Sequence, residues 1–294
     1  KSIHGETVRN VCENFQYLDM GIFVHILSSR KYMVLEEFDD AIRAVVNPDD
    51  IVAPVEGMPK TAVTCFASET FGRMLGSFGG EKIAESRVAN MVIPVYKTVH
   101  QGVELALFMS DVGAPPCVAL LEDIFAMGVE KVVMFGTCGV LDASIADCSI
   151  IIPDTAVREE GTSFHYAPPS DEIAVNTKYI GEFREMLDHI NCNYTVGKTW
   201  TTDGIYRETK AKVARRKEAG CICVDMECSA VAALAQFRGK DVFQFFYAAD
   251  NLDSEVWEER SLSNMAKLSD KDKVALLAMD FAVKIGEEKQ DGSM

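Results

Sequence analysis

The sequence predicts an α/β fold, in which helices pack around a central sheet. From Thr61 onward, short apolar runs of strand length alternate with segments of helical period, which is the order of elements in α/β proteins. Three of the apolar runs end in polar or glycine-rich residues, in "SDVGAPP", "GTCG" and "AADNLD". Ligands of α/β proteins collect at such strand ends, so these turns mark the expected binding edge.

The individual elements follow from apolar runs, helical spacing and cap residues. The predicted strands are "TAVTCFA" (61–67), "ELALFM" (104–109), "EKVVMF" (130–135), "CSIIIPDTAV" (148–157), "NYTVGKTWTTD" (193–203) and "KDVFQFFYAAD" (240–250). The predicted helices are "EEFDDAIRAVV" (36–46), "SETFGRMLGSF" (68–78, capped by Ser68), "CVALLEDIFAMGV" (117–129), "NTKYIGEFREMLDHI" (176–190) and "SDKDKVALLAMDFAVKIGEE" (269–288, capped by Ser269). Residues 1–60 are interpreted as an N-terminal extension that ends in a proline-rich linker, and residues 61–294 as the main domain.

Composition and charge narrow the class of protein. The formal net charge of −16 argues against binding nucleic acid or an anionic membrane surface. The nine cysteines include no Cys-x-x-Cys pair, so we expect reduced thiols in a cytoplasmic protein. No apolar run is long enough for a transmembrane helix, and "KSIHGETVRN" is not typical of a signal peptide. The five histidines have no metal-ligand spacing, and P-loop and G-x-G-x-x-G motifs are absent.

The run "FGTCGVL" (135–141) places two glycines around Thr137 and Cys138. Glycines allow close backbone approach to a ligand, and exposed N–H groups beside a threonine hydroxyl suit an anion. An ordinary strand-to-helix turn explains the same residues. A nucleophilic Cys138 is a further alternative, which needs a histidine base that the sequence does not identify.

Two polar loops are candidates for contact with a planar ligand. "VREEGTSFHY" (157–166) and "TTDGIYRET" (201–209) combine charges, hydroxyls and aromatic rings. Both are interpreted either as solvated loops or as loops that line a substrate. In the second loop, Arg207 is a candidate for contact with the polar edge of a base.

Three carboxylates stand next to apolar runs. Asp250 ends a very apolar strand, where it serves either as a helix N-cap or as a general acid whose pKa burial raises. Asp225 and Glu227 open "CVDMECSAVAALAQF" (223–237), which otherwise has the composition of buried core. Charged side chains are rarely buried unless they are paired or used. Stabilisation of a helix N-terminus is the simpler explanation of this pair.

In this order, the motifs resemble those of the nucleoside phosphorylase-I superfamily, which includes uridine phosphorylases, hexameric-type purine nucleoside phosphorylases and methylthioadenosine nucleosidases. The resemblance covers about residues 61–285, and "DMECSA" and the Gly-Thr-Cys-Gly run are its most specific parts. It implies a three-layer α/β/α fold with a central mixed twisted sheet. It also implies a homodimer or homohexamer, and a nucleoside substrate with inorganic phosphate as co-substrate and no cofactor. We expect the N-terminal extension, which lies outside the resemblance, to contribute to subunit contacts.

The resemblance assigns roles by position. For ribose it implies Glu227, Met226 and His25, and for phosphate Thr137, Arg73 and Arg87. For the base it implies Cys138, Gly139, Ile205, Arg207 and Glu208. It implies Asp250 as the acid at purine N7, assisted by Arg260. The run "SFHYAP" is most similar to the uridine branch, whereas Asp250 is typical of the purine branch, so the base stays open.

The phosphate site departs from the family pattern. The family's first phosphate loop is Pro-Gly-Asp-Pro with a nearby arginine, and here the matching stretch is "FASETFGR". The strand before the Gly-Thr run normally carries an arginine, and here that position is Met134. Three hypotheses follow: a phosphorylase; a nucleosidase in which water replaces phosphate and Glu69 is a candidate base; and a catalytically weakened nucleoside-binding protein.

Overall fold

The computed structural model describes residues 33–88, 90–263 and 265–287. Within these ranges the predicted α/β class is confirmed, because ten strands form one mixed sheet and helices cover both of its faces. The residues from Phe38 onward form one compact unit. Residues 33–37 belong to a separate unit, of which the structure describes a 3-10 turn, Val34–Glu36. In the described ranges, no helix combines the length and the apolar character needed to span a bilayer.

The strands are β1 Thr61–Cys65, β2 Glu81–Val88, β3 Met91–His100, β4 Val103–Met109, β5 Lys131–Val140, β6 Ile150–Glu159, β7 Glu172–Ala174, β8 Tyr194–Thr202, β9 Cys221–Asp225 and β10 Asp241–Asn251. The helices are α1 Pro48–Ile51, α2 Ser68–Phe78, α3 Ala114–Met127, α4 Ile180–His189, α5 Lys210–Glu218, α6 Cys228–Arg238 and α7 Leu268–Glu287. Two further 3-10 turns are Thr162–His165 and Ile205–Arg207.

The sheet closes on itself over half of its strands. β5 pairs with β1, β9 and β10, β9 with β8, β8 with β6, and β6 with β10, so five strands form a ring. From β5 the sheet continues through β1, β4 and β3 to the edge strand β2. The strands β1, β4, β5 and β10 run parallel, so their carboxyl ends meet at one edge of the sheet.

Side-chain alternation along the central strands builds the two apolar layers. Val133 and Phe135 of β5 face a core that includes α2, α4 and α7, whereas Val132 and Met134 face a core that includes α3 and α6. Because successive strand residues point to opposite faces, each buried strand supplies both cores. The packing fixes the strand ends on which the candidate site depends.

Several predicted boundaries are wrong. Residues 37–46 are not helical: Asn47 accepts from the N–H of Ala44 at 2.9 Å, and Arg43 pairs with two aspartates of α1, so local side-chain bonds replace helical ones. Ser68 is the first residue of α2, whose N-cap is Ala67, and Ser269 lies inside α7.

The proline-rich stretch predicted as a linker packs against the main domain. The N–H of Val55 donates to the carbonyl of Met127 at 2.9 Å, and Met58 is buried in the core beside α3. The predicted boundary at residue 60 stays a prediction.

Candidate active site

A cavity of about 250 Å³ lies at the carboxyl ends of β1, β5, β9 and β10, and we call it the inner cavity. Its position follows from the parallel strands and from β9, whose Val224 pairs with Gly139 of β5. The inner cavity is lined by Phe66, Val112, Thr137, Cys138, Gly139, Ile205, Glu208, Val224, Asp225, Met226, Glu227, Asp250 and Leu262. The structure thus brings together eight of the residues that the sequence proposes for the site: Thr137, Cys138, Gly139, Ile205, Glu208, Met226, Glu227 and Asp250.

Glu227 is a buried carboxyl group that faces the inner cavity. It is 6% exposed, and its Oε1 accepts a hydrogen bond of 2.6 Å from the backbone N–H of Gly113. Burial, together with the nearby charge of Asp225, raises the pKa of Glu227 to about 8. A ligand that donates hydroxyl hydrogens to this carboxylate would supply the polar partners that burial removes.

Asp225 is also buried, and its hydrogen bonds are satisfied within the protein. Its Oδ1 accepts from the hydroxyls of Thr199 and Thr201 at 2.9 and 3.0 Å. Its Oδ2 accepts from the N–H groups of Glu227 and Cys228, at 2.8 and 2.6 Å. Burial raises the pKa of Asp225 to about 6, although all four bonds favour the charged form. Asp225 therefore fixes the start of α6, and with it the backbone that carries Glu227.

The Gly-Thr-Cys-Gly run is part of β5 and not a turn. A Cβ at Gly136 would overlap the ring of Phe66, and a Cβ at Gly139 would overlap Leu252 and crowd Asp250. Both glycines are therefore required by close packing around the cavity. The nucleophile hypothesis for Cys138 is not supported, because burial raises the pKa of this thiol far above its ordinary value and no histidine of the described ranges lines the cavity.

Asp250 stands at the mouth of the inner cavity, where the strand ends. Its Oδ2 accepts from the indole N–H of Trp257 at 2.8 Å. Burial raises the pKa of Asp250, while the Trp257 bond and the charge of Arg260 oppose the rise. A carboxyl group in this state can hold a proton closer to neutral pH than an exposed aspartate can.

A second and larger cavity of about 880 Å³, the outer cavity, adjoins the inner one. Both cavities share four residues, Ile205, Glu208, Asp250 and Leu262. Burial, together with the charges of Asp250 and Glu159, raises the pKa of Glu208 to about 7. Two carboxyl groups with raised pKa values thus border the opening between the cavities.

The remaining predicted residues lie elsewhere. Arg260 does not line either cavity but donates from Nη1 to the carbonyl of Ile145 at 2.9 Å, and it acts on Asp250 through its charge. Arg207 is exposed and also lies outside both cavities. His25 lies outside the described residues.

Neither predicted phosphate arginine lines the inner cavity. Arg73 forms a two-point ion pair with Asp272 of α7, with Nε–Oδ1 at 2.8 Å. Arg87 lies on the edge strand β2, pairs with Glu85 and is 72% exposed. Met134 is fully buried in the core. Among the described residues, therefore, no arginine lines the inner cavity.

The loop "VREEGTSFHY" does not line either cavity. It is connected by hydrogen bonds to α6, the helix that follows Glu227. Glu160 accepts from the hydroxyl of Ser229 at 2.8 Å and from the N–H of Ser163 at 2.8 Å. Arg158 donates to the hydroxyl of Ser163 at 2.9 Å. This network connects the loop to α6, directly behind Glu227. The hypothesis of a loop that stacks on the base is therefore not supported by its placement.

Sequence reasoning missed two residues that act on the site through hydrogen bonds. Gly113 lies in the turn "SDVGAPP", which the sequence predicts to be part of the binding edge. Nothing in the sequence indicates that the N–H of Gly113 reaches Glu227, 114 positions further along. Trp257 follows Asp250 by seven positions in a polar turn. An isolated tryptophan in a polar segment beside a candidate acid was the one available signal.

The fold and the cavity define an α/β protein with a cavity lined by carboxyl groups at the carboxyl ends of its central strands. A family model described as the phosphorylase superfamily matches residues 60–281. The chain belongs to this superfamily, which confirms the resemblance drawn from its motifs.

Individual relatives are distant. The chain is 27% identical to guanosine phosphorylase of Halorubrum lacusprofundi over 163 residues, which is 54% of this chain and 64% of that one. It is 25% identical to uridine phosphorylase of Thermococcus kodakarensis over 107 residues, or 36% of this chain and 39% of that one. The matched part of the chain thus spans less than two thirds of the length of these relatives.

The fold itself is shared with a solved structure. Uridine phosphorylase of Vibrio fischeri superposes with a TM-score of 0.66 at 18% identity, covering 79% of this chain and 95% of that one. At this identity the likeness shows the fold alone.

Proposed function

We propose that the protein is a nucleoside phosphorylase that cleaves the N-glycosidic bond of a purine nucleoside with inorganic phosphate. The observation that carries the proposal is the meeting of Glu227, Thr137 and Asp250 in one cavity. These three residues supply the three requirements of the reaction: a carboxylate for the sugar hydroxyls, a hydroxyl on the anion side and an acid for the base.

In the proposed reaction a phosphate oxygen attacks C1′ of the nucleoside. The bond from C1′ to the base nitrogen breaks, its electron pair moves to the base, and ribose 1-phosphate leaves. Glu227 accepts hydrogen bonds from the 2′ and 3′ hydroxyls and fixes the sugar, with Met226 against it. Positioning and electrostatic stabilisation of this kind account for a large part of the lowering of such activation barriers.

Asp250 and Glu208, the two carboxyl groups at the opening between the cavities, favour a purine as the base of the substrate. Asp250 delivers a proton to N7 as the electron pair arrives, whereas uracil has no N7. Glu208 lines the same opening and would accept from a base N–H, and guanine presents two adjacent donors, N1–H and its 2-amino group, to a carboxylate. The similarity to a protein named guanosine phosphorylase agrees with this choice.

A second candidate function keeps the sugar and base contacts but uses water in place of phosphate. The specific observation in its favour is that no arginine lines the inner cavity among the described residues. For the phosphorylase, we propose that a second copy of the chain contributes Arg87 from its exposed edge strand. Loss of one charge-assisted phosphate contact typically costs about 1.5–3 kcal/mol.

Asp250→Asn tests the base assignment. At saturating phosphate we expect guanosine and inosine to be the best substrates and uridine the poorest. Because an amide cannot deliver the proton, Asp250→Asn should lower kcat/KM for the purines by roughly 10²- to 10³-fold. Base release, followed by chromatography, measures this loss.

Asp253→Asn is the matched control. This carboxylate lies three positions further on, lines only the outer cavity and pairs with Lys217. Purine cleavage should stay within about twofold of the wild type because Asp253 does not line the inner cavity. The purine assignment is wrong if uridine is the only good substrate or if Asp250→Asn cleaves guanosine at the normal rate.

A further inference from the structure

The outer cavity is larger than the proposed reaction requires. The sugar carboxylate and the Gly-Thr-Cys-Gly run belong to the inner cavity of about 250 Å³, whereas the outer cavity adds about 880 Å³ on the side of Asp250 and Glu208. The sugar and phosphate residues do not line the outer cavity. Its space therefore adjoins the base and not the sugar.

The walls of the outer cavity are chiefly apolar and aromatic. Trp257 and Tyr206 line it together with Leu252 and Val213. Tyr206 is 94% exposed, so its ring has almost no partner among the described residues. Aromatic rings exposed beside a pocket are typical contacts for planar apolar groups.

The charges around the outer cavity select against an anion. Five carboxyl groups and two lysines line it: Glu208, Glu218, Asp250, Asp253, Glu255, Lys210 and Lys217. Lys217 is paired with Asp253, and Lys210 donates to the carbonyl of Glu255 at 3.2 Å. The excess of carboxyl groups and the engaged lysines disfavour an anionic occupant, and the apolar walls favour an uncharged one.

The opening between the cavities specifies which atom of the base faces outward. If Asp250 meets N7 and Glu208 meets the N1 and 2-amino edge, as the proposed function requires, the substituent on C6 lies between these two contacts. A 6-O-substituted guanine has no N1–H, but its 2-amino group still donates to Glu208. A substituent at C6 is then directed between the two carboxyl groups and into the outer cavity.

We propose that the outer cavity is a subsite for an uncharged, apolar or aromatic substituent on C6 of the purine. The proposal rests on the proposed function for the orientation of the base, and it extends that function from simple to 6-substituted purine nucleosides.

The test compares two nucleosides that differ only in the group entering the outer cavity, O6-methylguanosine and O6-benzylguanosine. Isothermal titration calorimetry measures their Kd values without requiring turnover. Burial of the additional ring should make the benzyl compound bind about tenfold more tightly or better.

Two alanines of α5 provide matched variants. Ala214 lines the outer cavity, while Ala211 does not, and both are exposed. Ala214→Phe fills the cavity and should abolish the tenfold advantage of the benzyl compound. Ala211→Phe adds the same ring to the same helix and should preserve it. Both variants should bind O6-methylguanosine like the wild type.

Equal or weaker binding of the benzyl compound to the wild type overturns the proposal, as does an equal response of the two variants. If Ala214→Phe alone changes the oligomeric mass in light scattering and the two nucleosides bind alike, a second copy of the chain occupies the cavity. If guanosine is cleaved with phosphate but O6-benzylguanosine does not bind more tightly than O6-methylguanosine, the subsite proposal is wrong and the proposed function stands. If guanosine is not cleaved with phosphate, the proposed function fails whatever the two Kd values are.

Discussion

Replacing Glu227 with glutamine is expected to lower kcat/KM for a purine nucleoside by about 10³-fold while the protein still folds. Above the pKa of about 8, the change retains the shape of the side chain but removes its negative charge. Two charge-assisted bonds to the ribose hydroxyls are weakened, and bonds to charged groups contribute about 1.5–3 kcal/mol each. Steady-state kinetics with guanosine measure the loss.

The pH dependence of binding provides a second readout for Glu227. Sugar hydroxyls donate to the carboxylate form, so nucleoside affinity should rise as the pH approaches the pKa of about 8. The variant should lack this rise.

The stability of the unliganded protein should change in the opposite direction. The pKa of Glu227 is raised from its ordinary value of 4.5, so the folded state binds the proton more tightly than the unfolded state does. Its contribution to the free energy of unfolding is complete below pH 4.5 and is lost as the pH rises through about 8. Glu227→Gln should remove this slope.

Glu122→Gln is the control for a buried glutamate outside the site. Glu122 is 9% exposed and pairs with Arg238, with Nη2–Oε1 at 2.8 Å. This variant should lose stability but keep its kcat/KM. Near-normal turnover by Glu227→Gln would refute the ribose role.

Replacing Asp225 with alanine is expected to lower the free energy of unfolding by about 4 kcal/mol. The change leaves the hydroxyls of Thr199 and Thr201 and two buried N–H groups without their acceptor. Each unsatisfied buried group costs about 1–3 kcal/mol, with partial relief from relaxation. Because one kcal/mol shifts the melting temperature of a large domain by about 2–4 °C, the melting temperature should fall by about 10 °C.

Asp154→Ala is the matched control, because Asp154 is exposed on β6. Surface substitutions of this kind usually change the free energy of unfolding by less than about 0.5 kcal/mol. Denaturant unfolding compares the two variants. An Asp225→Ala protein as stable as the control would show that the four hydrogen bonds do not fix the start of α6.

The central strands were predictable because they are apolar on both faces. β1, β4, β5 and β10 are buried between two helical layers, so their sequences are nearly continuous apolar runs. The edge hairpin of β2 and β3 was not predicted. β2 carries charges along "EKIAESRV", as edge strands often do. β3 lies between β2 and β4 but contains Pro94 and is only partly buried, so neither strand has the continuous apolar run of a central one.

The candidate site was predictable where a motif carries its own geometry. "DMECSA" places Asp225 and Glu227 at the junction of β9 and α6, and the Gly-Thr-Cys-Gly run forms the last part of the central strand β5. Contacts between distant segments were not predictable. Arg73 was a phosphate candidate by position, yet its partner Asp272 lies 199 residues away, and only the packing of α2 on α7 brings the two together.

Dependence on phosphate tests the central claim most directly. Guanosine is incubated with the protein in the presence and absence of inorganic phosphate, and the base and the sugar product are quantified together. The proposed function predicts that guanine release requires phosphate and that ribose 1-phosphate forms in equal amount. Release at the same rate without phosphate, with free ribose as the product, would contradict it and assign the site to hydrolysis.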